Sequence, residues 1–502
     1  VDDGSSPNTK LIDARGRTKS PTGSGRPMSR QELAEAVNAW QWSRYERDDR
    51  LDETDIGKLE RGEIRWPGRT RREGFRAVLS ATTDAELGFF RTRRIRSSDT
   101  AVSVAQVPRL PPLMTSTGLT QRGPGSPRAM ENLLRSTGGQ FFDGESIDTR
   151  TYPAVDDGRI LAAVPADFAA SRFLTRARRG LVVGAIADDD GSTGYGLDTR
   201  QARRRLAKAG PGARLLIPPA YVLDDVTVGI LWAVVNLDEP LLNDDSLLHD
   251  LQQELLPYEA MPSSSLGRDL ASGLTAVSQM WIGSYFCAHH ILRHLDGLAD
   301  IPEFWTRERR GEEASTWLLF RHKYDYLRAI AERFAGGPMT RAFCIPPDAV
   351  VASPPGERIL LLLSAALMES FGIQVNVCTE TEYSAVEGFV LDRGREAIVA
   401  NWVGADGIWQ VGVTTDHPSV RDYGEIAAYT GAHSAITGPH AGRRLRMLAD
   451  YLELDWAWLV ERCRQLGEHG CSGFAAPRSR LLSVAGVDRA CQYVGEVGMI
   501  SR

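Results

Sequence analysis

Residues 28–67 read MSRQELAEAVNAWQWSRYERDDRLDETDIGKLERGEIRWP, and no other stretch of the 502-residue chain restricts its local fold as closely. Ser29-Arg-Gln-Glu32 has the spacing of a capping box, in which Ser29 accepts from the backbone N–H near Glu32 and the Glu32 carboxylate reaches back. Leu33, Val37 and Trp40 then fall on one face of the helix so begun, which predicts that they pack inward. A charged insert follows at residues 41–51. Asp52 is set to cap a second helix, with Ile56 and Leu59 as its buried residues. Gly62 fits the left-handed position that ends a helix. Arg65, Arg69, Arg71 and Arg72 come next, spaced to meet phosphates. Trp66 and Pro67 read as structural, one as packing and one as the end of the loop. Thr83 or Asp84 opens a further short helix with Leu87 and Phe89 inside.

Two short motifs make this segment specific: residues 58–67, KLERGEIRWP, and residues 84–89, DAELGF. With them, residues 28–90 resemble the Xre-type (Cro/CI-like) helix-turn-helix family, in particular its large actinobacterial transcriptional regulators. The resemblance implies an all-α, DNA-binding head whose second helix enters the major groove. Carried over residue by residue, Glu53, Thr54, Asp55 and Lys58 would face bases, and Arg30, Arg61 and Arg65 would touch phosphates, with Arg69 beside them. The chain departs from the family in two ways: its turn is roughly a dozen residues longer than the short family turn, and its reading helix begins with acidic residues, which repel phosphate and suit cytosine amino groups. A solvated basic face is the competing reading of the arginines. One recognition helix buries little surface, so double-stranded operator DNA would be met by a homodimer with two half-sites.

Composition agrees with a small basic module on an acidic body. The chain has a net charge of −6, while residues 58–96 hold 11 Lys/Arg against 5 Asp/Glu. Such a balance excludes a histone-like protein and suits a regulator. The apolar fraction of 42% predicts an ordinary soluble core for the larger part. The six cysteines carry no CxxC pair, which is cytosolic usage. The polar N-terminus is no signal peptide, and apolar runs such as residues 359–368 are too short to span a bilayer. A cytoplasmic protein is expected.

The expected fold class is multidomain: an all-α helix-turn-helix head, then a mixed helical and α/β C-terminal body. The expected segments are a loose arm at 1–27, with one short helix near residues 11–17, the helical head at 28–97, and a Pro/Gly-rich linker at 98–135. A mainly helical domain at 136–335 and an α/β domain with C-terminal helices at 336–502 follow. Residues 136–220 read as short strands and loops, and residues 312–334 as one helix, with Trp317, Phe320, Tyr324, Leu327 and Ala331 at helical spacing and Thr306 as its cap. Residues 340–440 alternate short β-branched runs with the helical GERILLLLSAALMESF, which predicts an α/β unit whose later strands form an antiparallel meander.

Elsewhere the chemistry is thin. Cys287, His290 and His294 share a helical face and could ligate zinc given a fourth ligand; packing beside Phe286 and Leu292 is the plainer reading. Residues 188–196, DDDGSTGYG, form an acidic, glycine-rich stretch without calcium-loop spacing or a phosphate-loop lysine, and read as a surface loop. His322, Lys323 and Asp325 have the wrong spacing for a phosphodiesterase, and residues 308–313 read as helix start and surface. No nucleophile motif appears, so no enzyme, metal or cofactor is expected. The aromatics Trp281, Phe286, Trp305, Trp317, Trp402 and Trp409 fit either a small-molecule pocket or plain core. The sequence therefore points to a DNA-binding regulator with a dimerising body that could sense a small-molecule effector. An enzyme with an appended DNA-binding head, acting through residues 340–440, and a partner-binding scaffold are the alternatives.

Overall fold

A computed structural model describes residues 7–21, 25–45, 51–64, 67–89, 130–136, 138–188, 191–209, 212, 214–259, 261–271 and 273–500. It divides into two units, residues 1–103 and 104–502. N-terminal helices make the first, and a mixed α/β body with two sheets makes the second.

The head holds α1 (Thr9–Arg17), α2 (Arg30–Tyr45), α3 (Glu53–Glu60) and α4 (Arg69–Leu79), closed by a short 3-10 turn at Asp84–Leu87. The capping box forms as its spacing predicts: Ser29 N–H donates to Glu32 at 2.7 Å, and Glu32 N–H to the Ser29 hydroxyl at 3.2 Å. Asp52 caps α3 by accepting from Asp55 N–H at 2.8 Å, and Gly62 sits at φ 77°. Leu33, Val37, Ile56, Leu59, Phe75, Leu87 and Phe89 form the core, while Trp40 is only partly buried. Segment 1–27, expected as a loose arm, instead contributes α1 to that core. Leu11 is fully buried, and the Asn8 amide donates to the carbonyls of Leu87 and Gly88 at 2.9 and 3.3 Å. The reason is the apolar pair Leu11 and Ala14, one helical turn apart, which α3 and the last turn of the head cover.

The body begins with β1 (Met130–Arg135), β2 (Ser146–Asp156), β3 (Ile160–Ala162), β4 (Gly180–Asp188), β5 (Gly191–Asp198), α5 (Thr199–Ala209) and β6 (Leu215–Ile217). These strands make a six-stranded sheet in the order β5-β4-β2-β3-β6, with β1 antiparallel to β2. Two expectations are corrected here. Residues 130–135, read as the end of a linker, are a strand. Residues 191–196 of the acidic, glycine-rich stretch pair with β4 and are not a surface loop; Asp189 and Asp190 lie outside the described residues.

Helices α6 (Asp225–Asn243), α7 (Asp245–Glu259) and α8 (Ala276–His294) follow, with strand β7 (Ser263–Leu266) between the last two. Next come β8 (Glu303–Thr306), α9 (Gly311–Leu319), α10 (Arg321–Arg333), β9 (Met339–Cys344), α11 (Pro347–Ala352), α12 (Pro355–Ser370) and β10 (Ile373–Cys378). The chain continues through β11 (Phe389–Asp392), β12 (Glu396–Asn401), β13 (Trp409–Thr414), α13 (His417–Ala432), α14 (Ala441–Tyr451), α15 (Trp456–His469), α16 (Ser472–Ala475) and α17 (Ala485–Ile500). The second sheet runs β10-β9-β8-β11-β12-β13-β7. Its β8, β9 and β10 are parallel, and β11 to β13 form the expected antiparallel meander. Because β7 and β8 join this sheet, residue 335 is no domain boundary within the body.

Helix α12 lies at the centre of the body. Leu360, Leu362, Leu363, Ala366 and Leu367 are fully buried, so it is apolar nearly all round, as a core helix must be. It crosses α6 where Gly229 faces Gly356; a Cβ on Gly229 would come within 3.1 Å of the Gly356 backbone. The single helix expected at 312–334 is broken. Phe320 is extended (φ −72°, ψ 121°) and pairs with Leu482 from the C-terminal segment. Arg321 N–H donates to Leu481 O at 3.1 Å, and Ser483 N–H to Leu319 O at 2.8 Å. Thr306, expected as a cap, ends β8; Glu313 does the capping, accepting from Arg309 and Arg310 N–H at 2.8 and 3.2 Å. All six cysteines are buried free thiols.

Candidate functional site

Two places hold chemistry, one in each unit. In the head, α2 and α3 are joined by a stretch whose far end is clamped. The Asn38 amide donates to Leu51 O at 2.8 Å, and its carbonyl accepts Leu51 N–H at 2.9 Å, so one side chain satisfies both backbone groups. α3 thus starts from a fixed point, although residues 46–50 lie outside the described residues. Its inner face is sealed by Ile56, Leu59 and Glu60. Glu60, 1% exposed, accepts Arg15 and Arg30, each at 2.7 Å, and so ties α1 and α2 to α3.

The residues expected to meet DNA lie as follows. Glu53 and Thr54 are exposed at the start of α3, and Asp55 and Lys58 are partly exposed and paired at 3.1 Å. Arg61 is exposed and bonded to Glu63 at 2.6 Å, which raises the guanidinium pKa and lowers that of the carboxyl. Arg30 begins α2 and keeps its side chain 47% exposed despite its bond to Glu60. Arg69 begins α4; its side chain, and Arg65 altogether, lie outside the described residues. Arg72 is turned inward to Asp84 at 2.8 Å and Pro67 O at 2.8 Å. The structural role of Glu60 was not legible, since nothing in KLERG marks its carboxylate as buried.

In the body, a small cavity of about 60 Å³ opens between α8, α9, α10 and the strands β8, β9, β11 and β12. Among its charged residues, Glu308 comes from a segment read as surface. Glu308, Lys323 and Arg341 are 6%, 3% and 4% exposed. Lys323 donates to Glu308 at 2.6 Å and to the Thr316 hydroxyl at 2.9 Å, with its ammonium 3.9 Å from the Trp317 ring centre and 4.9 Å from that of Trp402. Burial lowers the Lys323 pKa, and the Glu308 charge opposes that shift. Trp402 Nε1 also donates to Glu308, at 3.1 Å. Arg341 donates to the Thr306 hydroxyl at 2.9 Å and to the Tyr326 hydroxyl at 3.1 Å, and stacks over Phe304 and Trp317. Residues 308–313, expected on the surface, are thus largely inside: Glu312 and Glu313 are buried too, holding backbone N–H groups of residues 140–142 and 309–310.

A signal for this cavity did exist. Lys323, Tyr326, Leu327 and Ile330 form the buried stripe of α10, so a lysine occupies an apolar-face position. Arg341 likewise interrupts the apolar run of β9. Of the expected aromatics, Trp305, Trp317 and Trp402 line the cavity, whereas Phe286 stacks on Trp409 in the core.

Ser284 lines the same cavity, and its hydroxyl is 2.9 Å from His322 Nε2. Burial and the Lys323 charge push the His322 pKa well below its usual value, which keeps the imidazole neutral and able to accept. His322 Nδ1 has no partner to orient it, and Ser284 sits mid-helix, where backbone N–H groups are already bonded within the helix. The pair therefore lacks the third group that orients the base in acyl transfer. Cys287 faces the cavity as a buried thiol whose pKa burial raises. His290 is fully buried, lies with its ring centre 4.3 Å from that of His294, and has its pKa lowered to about 4 by burial. Among the described residues, no group of three or more His, Cys, Asp or Glu side chains is set to hold a metal ion, and no helix is long and apolar enough to cross a membrane. No family model matches the chain, and no curated protein or solved structure is significantly similar to it.

Proposed function

We propose that the chain is a DNA-binding protein whose helical head reads a duplex and whose α/β body responds to a small molecule. More narrowly, it acts as an Xre-type, sequence-specific transcriptional regulator, cytoplasmic and homodimeric, with operator DNA as its partner. One observation carries this reading. α3 is sealed on its inner face, while Glu53, Thr54 and Arg61 remain exposed on a unit with a core of its own. A short helix held this firmly from behind is suited to insertion into a groove. In this reading Arg30, Arg61, Arg65 and Arg69 hold phosphates, and Glu53, Thr54, Asp55 and Lys58 face base edges. A ligand bound by the body would favour one arrangement of the two heads and so change operator affinity.

The test is to select bound genomic fragments with the full chain and inspect them for a palindrome whose half-sites lie about one DNA turn apart. Arg61→Ala should weaken binding to all sequences and reduce the slope of log affinity against log salt by about 0.9. Lys58→Ala should relax sequence preference instead. If no fragment is enriched and neither variant moves a gel-shift titration, the DNA reading is wrong.

A further inference from the structure

The body cavity contains an electrostatic imbalance. Lys323 has Glu308 as its counter-charge at 2.6 Å. Arg341, equally buried, bonds only the neutral hydroxyls of Thr306 and Tyr326. A buried cation without an anion is costly, by several kcal/mol.

The hydrogen-bond inventory leans the same way. Three buried donors lining this cavity have no acceptor: Arg341 Nε, Trp317 Nε1 and Asn401 Nδ2. Their residues are 4%, 5% and 2% exposed, so bulk water does not meet the deficit. Asn401 is held by its other end, since its carbonyl accepts Gly388 N–H at 2.7 Å. Arg341 and Trp317 are neighbours, with the guanidinium carbon 4.9 Å from the indole ring centre. The unanswered Arg341 charge and a set made only of donors call for an anionic acceptor.

We propose that this cavity binds a small monocarboxylate with a compact apolar tail, and that this ligand is the effector of the regulator. A carboxylate supplies the missing charge and accepts from Arg341, Trp317 and Asn401. The rings of Trp317, Trp402 and Phe389 line the same space and would cover the tail. A phosphate dianion is a poorer match, because it offers no apolar part to the rings of Trp317, Trp402 and Phe389. The effector role rests on the DNA-binding reading; the carboxylate site itself does not.

The experiment titrates the full chain, without DNA, with benzoate, 3-methylbutanoate, the neutral isostere benzamide and inorganic phosphate. Tryptophan fluorescence and thermal melting are the readouts. Benzoate or 3-methylbutanoate should quench the fluorescence and raise the melting temperature, while benzamide and phosphate should do neither. Arg341→Met should weaken carboxylate binding about tenfold or more, yet leave the ligand-free protein folded and no less stable, because it removes an unanswered buried charge. Trp317→Phe, which deletes one donor and keeps the ring, should also weaken binding. Equal binding of benzamide, no response to either carboxylate, or unaltered binding in both variants would overturn the proposal. A gel shift on the same preparations separates the two readings. Carboxylate binding without a DNA shift sinks only the regulator reading, and a DNA shift without carboxylate binding sinks only this one.

Discussion

Glu60 and Glu63 are near neighbours with opposite roles. Glu60 is sealed beneath α3 and gathers Arg15 and Arg30, whereas Glu63 is exposed and engages Arg61. A carboxylate beside a phosphate-seeking guanidinium competes with DNA for it. Glu63→Gln is therefore expected to tighten DNA binding about two- to fivefold at low salt, with the gain shrinking as salt screens the charge; fluorescence anisotropy against salt checks this. Glu357 offers a residue-scale test in the body. It accepts Gly311 N–H at 3.2 Å, while burial and the Glu312 charge push its pKa from 4.5 up to about 7. A raised carboxyl pKa means that the folded state holds the proton more tightly than the unfolded chain. The associated stability is full below the ordinary value and is lost as pH rises through about 7. Glu357→Gln should thus gain roughly 1–3 kcal/mol on the native protein at pH 8.5 and little at pH 4.5, read from urea unfolding at both.

Local rules carry furthest for the elements. The capping box at Ser29, the Asp52 cap, the Gly62 turn and the β9–β13 strand runs are all set by residues close in sequence, and all were legible there. What the sequence did not display depends on partners far along the chain. The break at Phe320 exists because Leu482 pairs with it, so periodicity alone read α9 and α10 as one helix. β7 and β8 were missed because they are four residues each and stand among helices. The same reason hid the cavity: Glu308, read as surface, meets Lys323 and Arg341 only when α8 and the sheet pack around them. The Asn38 clamp is also an element-scale device, fixing the start of α3 after a long insert. Asn38→Ala leaves both Leu51 backbone groups without their partner and should cost about 1–2 kcal/mol. Hydrogen exchange should show faster exchange of the Leu51 amide, and DNA affinity should fall in parallel.

Across the whole body, Asp238 joins the first sheet to the C-terminal segment. Its carboxylate, 0% exposed, takes Arg179 at 3.0 Å, the Arg478 side chain at 3.1 Å and Ser479 N–H at 2.7 Å. Asp238→Ala would leave the Arg478 and Ser479 N–H groups without an acceptor and take one of two carboxylates from each of Arg179 and Arg478. A loss of about 3–5 kcal/mol is expected, seen as a lowered midpoint for the body in chemical unfolding. The head, with its own core, should keep its helices under the same conditions.

That linkage also orders events during synthesis. Asp238 leaves the ribosome 240 residues before the Arg478 amide that binds it. At ordinary elongation rates this is a wait of roughly 12–50 s. The head is complete long before, since the tie from Asn8 to Gly88 that closes it spans 80 residues. A nascent chain should therefore carry a finished head beside an unfinished body, and it is the body that chaperones would need to shelter.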